Sequence, residues 1–540
     1  MFFFKFPFLF ICEERELSTL SEFTMNIYKD SLFLFFSLTV IPCWAKSHVS
    51  KNIQRPNILY VFPDQMRNCA MGFWRESPFK ESVHFLGDPV HTPNLNQFAK
   101  EAVVLTSVYS NCPLSSPHRG SLLTGMFPEN SGVPLNCKSS TPISNLRSDV
   151  KCISDVLKEA GYSCGYIGKL HVDHPTPNDP DHPGHYVEAR VPAWDAYTPK
   201  ERRHGFDYWY SYGTFDVHKH PHYWDTNGIR HDINKWSPDH ETDKAIAYLQ
   251  NKKQERDSKK PFFLMLAYNP PHSPYSSLND CMEGDFIWYK DKSLDSLLVR
   301  PNVDMSMEKT KCAPYYFASV TGIDRNFGKL LQELRKLGLD SNTIVIFSSD
   351  HGETMCSQGV EDAKNAPYTE CFNVPFIVRY PDKLKPRIDT KLILSSPDIM
   401  PTILGLCGLK KQIPNNVEGR DYSGWLLNFS LKVPLRKGAL YIKNEVGNKD
   451  LHGNIITYFP VARGIRTDKY TMVFTIDKQT KKIQSGLLYN DVDDPYQMQP
   501  LLLEQNKTLV KLLCKELASL LKEANDPWYK QKILNNIIPY

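Results

Sequence analysis

The sequence predicts an α/β fold: a doubly wound, mostly parallel sheet followed by a smaller C-terminal α+β domain. Four apolar runs rich in β-branched or aromatic residues each stop at a polar cluster, and stretches with helical spacing separate them. Such runs are typical of strands buried on both faces of a sheet, and their alternation with helices favours a doubly wound arrangement. The runs are residues 57–62, 163–167, 261–268 and 343–347, and the helical patterns are residues 92–102, 153–160, 243–251 and 323–337.

The polar clusters directly after these four strands are the first indication of a functional site. In open α/β sheets, ligands bind outside the carboxyl ends of the strands. We therefore expect the four clusters to lie close together in space. They contain Asp64 and Gln65, Lys169 and His171, His272, and Asp350 and His351.

The domain organisation follows from length and from a change of pattern near residue 440. A chain of 540 residues is long enough for one large domain and a smaller one. We place the larger domain at 50–440 and a C-terminal domain at 441–540. The C-terminal pattern predicts strands at 440–446, 462–467, 470–475 and 486–490 and a helix at 501–524.

The N-terminal 45 residues resemble an upstream extension followed by a secretory signal peptide. An apolar run at 32–41 follows Lys29 and precedes Ala45, which is the usual order of a signal peptide. The run is shorter than the roughly 20 apolar residues that span a bilayer. We therefore predict translation from Met25, cleavage near Ala45, and an exported protein without a transmembrane segment, in the periplasm or outside the cell.

Other bulk features are less specific. Pro42 disfavours lipid anchoring at Cys43. The 13 cysteines include no Cys-x-x-Cys pair, so a zinc site of that type is not predicted, and disulfide formation after export is left open. The net charge of +4 includes no basic block, so nucleic acid is not predicted as a partner.

The most specific motif is Ser-Ser-Pro-His-Arg-Gly-Ser-Leu-Leu-Thr-Gly at residues 115–125. It resembles the signature of the formylglycine-dependent sulfatases of the alkaline phosphatase superfamily: Cys or Ser, any residue, Pro, any residue, Arg, and then Leu-Thr-Gly. Pro117 suits the first turn of a helix. Ser115 would therefore lie at a helix N-terminus, where free amides favour an anion.

The resemblance implies a chemical route. In this family the residue at position 115 is oxidised to formylglycine, whose hydrate attacks the sulfur through one hydroxyl and expels sulfate through the other. Serine at this position implies the prokaryotic radical maturation pathway, and hence a maturase partner and a bacterial source. Cys112 does not match the modified position of the signature, because the spacing to Arg119 assigns that position to Ser115.

The resemblance also implies one divalent cation. Asp64, Gln65, Asp350 and His351 match the four metal-ligand positions, with calcium favoured and magnesium open. Hard cations prefer oxygen ligands. Asp is more frequent in the family at Gln65, and Asn is frequent at His351, so we expect weaker intrinsic cation binding here.

Basic residues complete the implied site. Arg119 would hold the formylglycine, Lys169 and His171 would contact the sulfate and the formylglycine hydroxyl, with His171 as the base, and His272 would protonate the leaving oxygen, as a histidine near neutrality can. Lys364 would bridge sulfate and leaving oxygen. Alternatively Lys364 is a solvated surface lysine, because its loop can slide in register.

The segment 174–236 bears on the substrate. It is rich in Pro, His, Tyr and Trp, lacks periodicity, and is too long for a simple connection. Its aromatic residues either contact a sugar or pack the loop onto the sheet. We predict a sulfated carbohydrate; galactose or N-acetylgalactosamine comes from resemblance alone. The aromatic and polar residues considered are Trp194, Tyr208, Trp209, Tyr212, Asp216, His218, His220, His222, Tyr223 and Trp224.

Two other functions remain open from sequence. A phosphodiesterase or phosphatase of the same superfamily would use unmodified Ser115 with two metals, whereas this chain clearly supplies ligands for one. A non-catalytic sulfoglycan-binding protein would result if Ser115 were never oxidised.

Overall fold

The computed structural model describes residues 55–175, 192–431 and 433–536. The predicted upstream extension and signal peptide at 1–45, including Cys43, lie outside the described residues and stay predictions. Within the described ranges, no helix combines the length and apolar character needed to cross a membrane.

The larger sheet confirms the predicted fold class. Among the described residues it has ten strands in the order β10-β2-β9-β8-β1-β7-β3-β4-β5-β6. The pairs β8–β1, β1–β7, β7–β3, β3–β4 and β10–β2 are parallel, and the pairs that involve β9 or β5 are antiparallel. The strands are β1 (Asn57–Val61), β2 (Val103–Tyr109), β3 (Ser163–Lys169), β4 (Tyr208–Tyr212), β5 (His222–Asp225), β6 (Arg230–Asp232), β7 (Phe262–Ala267), β8 (Thr343–Ser348), β9 (Phe376–Arg379) and β10 (Arg387–Ser395).

Helices cover both faces of this sheet. Residues of β1 alternate between two cores: Leu59 belongs to the core that contains residues of α1, α5 and α8, and Tyr60 belongs to the core that contains residues of α2, α4 and α10. The helices are α1 (Pro93–Lys100), α2 (Ser115–Thr124), α3 (Pro128–Ser131), α4 (Ile153–Glu159), α5 (Ser237–Gln250), α6 (Glu283–Phe286), α7 (Leu294–Leu297), α8 (Ala313–Lys336), α9 (Thr369–Phe372), α10 (Ile399–Leu406), α11 (Ser423–Leu427), α12 (Lys507–Glu523) and α13 (Pro527–Lys530).

Several elements differ from the sequence prediction. The segment 174–236, predicted to lack regular structure, contributes β4, β5 and β6 to the sheet. These strands are three to five residues long and carry aromatic and polar side chains, so no apolar run marks them. Helices α5 and α8 begin six and ten residues before the predicted starts at 243 and 323, because Pro lies in the first turn of each. In α8, Tyr316 and Phe317 are also buried in these early turns.

The C-terminal region forms a separate antiparallel sheet, β11-β12-β13-β14, against α12. A buried ion pair anchors it, since Arg463 Nε contacts Asp526 at 2.6 Å and Arg463 Nη2 contacts Glu129 at 2.9 Å. The sheet begins next to the predicted boundary at 440/441, which stays a prediction. Its strands are β11 (Ala439–Val446), β12 (Tyr458–Arg466), β13 (Tyr470–Ile476) and β14 (Ile483–Asn490).

The cysteines of the described ranges are unpaired. All eleven are free, and ten of them are buried. In these ranges, hydrophobic packing therefore holds the fold without disulfide bonds.

The backbone at Gly168, immediately before Lys169, permits one prediction. Gly168 has φ +98°, and a Cβ there would lie 2.1 Å from the carbonyl oxygen of Ala267 on β7. We expect Gly168→Ala to push β3 and β7 apart and to lower the thermal midpoint by about 5 °C or more, measured by differential scanning calorimetry. Gly161→Ala is the matched control, because Gly161 also has positive φ (+91°) but nothing within 4 Å. Equal losses in both variants would contradict this packing argument.

Candidate active site

The four predicted clusters follow four neighbouring strands. The sheet runs β8, β1, β7, β3 without interruption, and each pair is parallel. Asp350, Asp64, His272 and Lys169 therefore lie at the same edge, beyond or at the carboxyl ends of these strands.

Ser115 is the first residue of α2 and is fully buried at the same edge. Its Oγ lies 3.4 Å from Asp64 Oδ1 and 3.1 Å from His351 Nε2. The helix ends at Gly125 in the left-handed region (φ +68°), whose N–H donates to the Ser121 carbonyl. Every residue of α2 is buried, so the helix fixes the position of Ser115 in the site.

Arg119 joins the two buried carboxylates. Its Nη2 donates to Asp64 Oδ2 at 3.0 Å, and its Nε donates to Asp350 Oδ2 at 3.1 Å. Burial alone raises the pKa of Asp64, but the charges of Lys169 and the other nearby cations outweigh it and hold that pKa well below its usual value. Both carboxylates are fully buried, and Asp64 stays ionised near neutral pH.

The donor set around these carboxylates fits a divalent cation. The ligand atoms of Asp64, Asp350 and His351 lie within 4.8 Å of one another. His351 Nδ1 donates to the Gly352 carbonyl (2.9 Å), so Nε2 carries the lone pair that faces Asp64 (3.5 Å) and Asp350 (3.8 Å). Burial lowers the pKa of His351 and keeps it neutral, as a ligand must be.

Gln65 lies next to this set in a left-handed conformation, with φ +62°. Its backbone N–H donates to Asp350 Oδ1 at 3.0 Å, and its side-chain oxygen accepts from Lys364 Nζ at 3.1 Å. The side-chain amide donates to Glu353. A strained non-glycine backbone is consistent with a site that constrains this oxygen.

Lys169 and His171 present a cation and a free basic nitrogen. Lys169 Nζ contacts Asp64 Oδ2 at 2.8 Å and is fully buried. His171 Nε2 donates to the Cys137 carbonyl at 3.1 Å, which leaves Nδ1 unprotonated, and this buried Nδ1 has no hydrogen-bond partner among the described residues. Burial, together with the charge of Lys169, lowers the pKa of His171 well below its usual value, so His171 is neutral. A neutral imidazole with a bare buried nitrogen can accept a proton.

His272 and Lys364 form a second proton-handling pair. His272 Nδ1 donates to the Ser273 carbonyl at 2.7 Å, so Nε2 accepts from Lys364 Nζ at 2.7 Å. Burial lowers the pKa of Lys364. The ammonium proton therefore lies between two bases, and the pair can deliver it to a nearby oxygen. Lys364 is partly buried and its Nζ forms hydrogen bonds with Gln65 and His272. This geometry favours a site residue over the alternative prediction of a solvated surface lysine.

Three further residues support the site: Asn269 and Glu353, which the sequence analysis did not single out, and Asp216, which it considered only as a possible sugar contact. Asn269 accepts from Lys169 Nζ at 2.9 Å and donates to Asp216 Oδ1 at 3.0 Å, and Asp216 lies 3.4 Å from His272 Nδ1. Glu353 receives hydrogen bonds from Gln65 and from Tyr275. Asn269 directly follows a predicted strand, which is the signal that could have identified it.

Most aromatic residues of segment 174–236 pack within the fold. Trp209, Tyr212, Tyr223 and Trp224 are buried, and Trp209 stacks on Tyr166. The sequence left open whether these aromatic residues contact a sugar or pack against the sheet, and the burial of these four indicates packing. Trp194 is only partly buried and lies near His171.

A family model described as "Sulfatase" matches residues 56–409, and one described as "N-sulphoglucosamine sulphohydrolase, C-terminal" matches residues 361–524. Among curated relatives, an endo-4-O-sulfatase of Bacteroides thetaiotaomicron is 59% identical over 92% of this chain and 98% of its own length. An ulvan-active sulfatase of Formosa agariphila is 34% identical over 87% of this chain and 82% of its own.

Solved structures are also similar to this chain in both fold and sequence. One from work on the metabolism of multiple glycosaminoglycans by Bacteroides thetaiotaomicron has a TM-score of 0.89 and 60% identity, and covers 90% of this chain and all of its own. A putative sulfatase of Bacteroides fragilis has a TM-score of 0.76 and 33% identity, and covers 89% of this chain and 98% of its own.

The cation set generates a prediction. Asp350→Asn keeps the size of the side chain but removes one of two carboxylates, and calcium affinity follows ligand charge. We expect calcium to bind at least about tenfold more weakly, measured by isothermal titration calorimetry on chelator-treated protein. Glu361→Gln, an exposed change in the same loop, is the control and should leave the affinity as it is. Unchanged affinity in Asp350→Asn would exclude Asp350 as a ligand.

Proposed function

The chain belongs to the sulfatase family, and we propose that it removes 4-O-sulfate groups from a glycosaminoglycan. It is a sulfuric ester hydrolase, as the family match and the relatives require. The observation that carries the 4-O assignment is the 59% identity to an endo-4-O-sulfatase over nearly the whole of both chains. The similar structure from glycosaminoglycan metabolism supports the polymer class.

Ser115 is the proposed site of formylglycine. When formed, that group supplies a hydrated aldehyde whose hydroxyl is the nucleophile and whose second hydroxyl permits release of sulfate. The surroundings of Ser115 fit it: the Oγ lies within hydrogen-bond distance of His351 Nε2 and near Asp64. We propose that a prokaryotic radical maturase carries out the oxidation, which makes the source bacterial.

Asp64, Gln65, Asp350 and His351 would hold the divalent cation that sulfatases use. The two carboxylates and the amide oxygen suit calcium and leave magnesium open, because both are hard cations that prefer oxygen ligands, whereas the imidazole nitrogen of His351 favours neither. Arg119 fixes both carboxylates so that their free oxygens keep one orientation.

The remaining side chains can perform the proton and charge steps. Lys169 provides a buried positive charge for the ester oxygens, since an anion in a buried site is stabilised by fixed cations. His171 Nδ1 accepts the proton of the hydroxyl that collapses to release sulfate. His272, supplied by Lys364, donates a proton to the sugar oxygen as it leaves.

The phosphodiesterase alternative needs a second metal close to the first. In the described part of the chain, the strand-end site offers one such group of ligands, and Arg119, Lys169 and Lys364 surround it. This arrangement supports a one-metal sulfatase. Measurements of zinc content and of phosphodiester hydrolysis distinguish the phosphodiesterase from the sulfatase. The third alternative, a sulfoglycan-binding protein, requires that the serine at position 115 stays unmodified.

The proposal is tested on protein matured in a host that contains the radical enzyme. Mass spectrometry of the peptide that spans Ser115 should show the loss of two hydrogens. The same protein should release sulfate from 4-O-sulfated glycosaminoglycan oligosaccharides in preference to 6-O- or 2-O-sulfated ones, measured by ion chromatography. Intact serine in active protein would favour the phosphodiesterase, and a preference for another position would reject the 4-O assignment.

The acid role of His272 yields a separate prediction. His272→Ala should slow the hydrolysis of sugar sulfates roughly 10²- to 10⁴-fold and that of activated aryl sulfates far less, because an aryl leaving group needs no proton. The measurement is kcat/KM on a 4-O-sulfated sugar and on 4-nitrophenyl sulfate. His84→Ala, which changes an exposed histidine outside the strand-end site, is the control. Equal losses on both substrates would remove His272 from the acid role.

A further inference from the structure

A further lysine, Lys138, lies at the rim of the active site. The carbonyl of Cys137, the preceding residue, accepts the hydrogen bond from His171. The ammonium of Lys138 lies 5.1 Å from the ring centroid of Trp194, and the Trp194 ring lies 6.1 Å from the ring of His171. A cation over an indole face is favourable, so Trp194 holds this charge beside His171.

The turn between β11 and β12 brings a second lysine to the same rim. Lys449 pairs with Ile455 in an antiparallel bridge, and the Ile455 N–H donates to the carbonyl of Ser140 at 2.8 Å. Ser140 is two residues from Lys138. Partial burial, and then the charge of Lys449, lower the pKa of Lys138, as expected for two neighbouring cations.

These two lysines lack an acidic partner in the part of the chain that the structure describes. The nearest acid in sequence, Asp450, accepts hydrogen bonds from the backbone of His452 and Asn454 within its own turn. Two adjacent like charges without a carboxylate repel each other, and a bound anion removes that cost. The pair also lies near His171, to which Lys138 is linked through the Cys137 carbonyl and the Trp194 ring.

We propose that Lys138 and Lys449 bind a second anionic group, a carboxylate or a sulfate, on a sugar next to the one that is desulfated. This inference rests on the proposed function. A glycosaminoglycan carries acidic groups on neighbouring sugars, so one chain can occupy both positions at once. The pair would then favour longer chains over isolated sulfated sugars.

The test compares substrates of different length on the matured enzyme. For Lys138→Gln and Lys449→Gln we expect KM for a chondroitin 4-sulfate hexasaccharide to rise roughly three- to tenfold relative to KM for 4-nitrophenyl sulfate, with kcat nearly constant. Lys511→Gln, an exposed lysine on α12, is the control. A carboxyl-reduced hexasaccharide separates the sources: the difference between wild type and variants disappears if the anion is a carboxylate and persists if it is a sulfate. A hexasaccharide KM that stays at the wild-type value in both variants overturns the inference.

Failure of the proposed function gives a different result. In that case the matured wild type hydrolyses 4-nitrophenyl sulfate but leaves the hexasaccharide intact. Equilibrium binding of the hexasaccharide to the Ser115→Ala protein then still measures the lysine pair. Weaker binding in the lysine variants supports the pair, and equal affinity rejects it.

Discussion

Two carboxylates that lie side by side in the interior, Asp64 and Asp350, set the main constraint on this structure. They follow adjacent parallel strands, so the sheet itself brings them together. Ionised groups at full burial need compensating charge, and Arg119 provides it by donating to both. Arg119 is on the helix that begins at Ser115, so the ion pairs that offset the burial of the two carboxylates also fix the position of Ser115, the proposed precursor of the nucleophile. A divalent cation would satisfy the remaining carboxylate oxygens.

The elements that position the site could be predicted because their signals are local. Strands β1, β3, β7 and β8 are buried on both faces and therefore appear as continuous apolar runs. No run reveals the order of these strands in the sheet; the rule that ligands bind at the carboxyl ends of strands predicted only that the polar clusters would meet, and the order β8-β1-β7-β3 is known from the structure. The motif at 115–125 identified which residue takes the position of Ser115. In the structure, α2 begins at Ser115 and places Arg119 where it donates to both carboxylates.

Other parts depend on contacts between distant residues and left no local signal. Strands β4 to β6 carry polar and aromatic side chains because they extend the sheet at one edge, so periodicity did not show them. Asn269 and Asp216 form a hydrogen bond although they lie 53 positions apart in the sequence. The proton arrangement of His171 depends on one carbonyl, that of Cys137. The sequence could suggest His171 as a base, but only the structure identifies Nδ1 as the ring nitrogen that is available to accept a proton.

The central claim is that one cation and one sulfate ester share the site made by the two carboxylates and the basic side chains around them. A crystal structure of the Ser115→Ala protein with calcium and a 4-O-sulfated oligosaccharide tests it most directly. The account predicts calcium at about 2.3–2.6 Å from oxygens of Asp64 and Asp350, with the ester sulfate between the metal and Lys169 and its bridging oxygen facing His272. A cation bound elsewhere, or a saccharide whose sulfate points away from position 115, would contradict it.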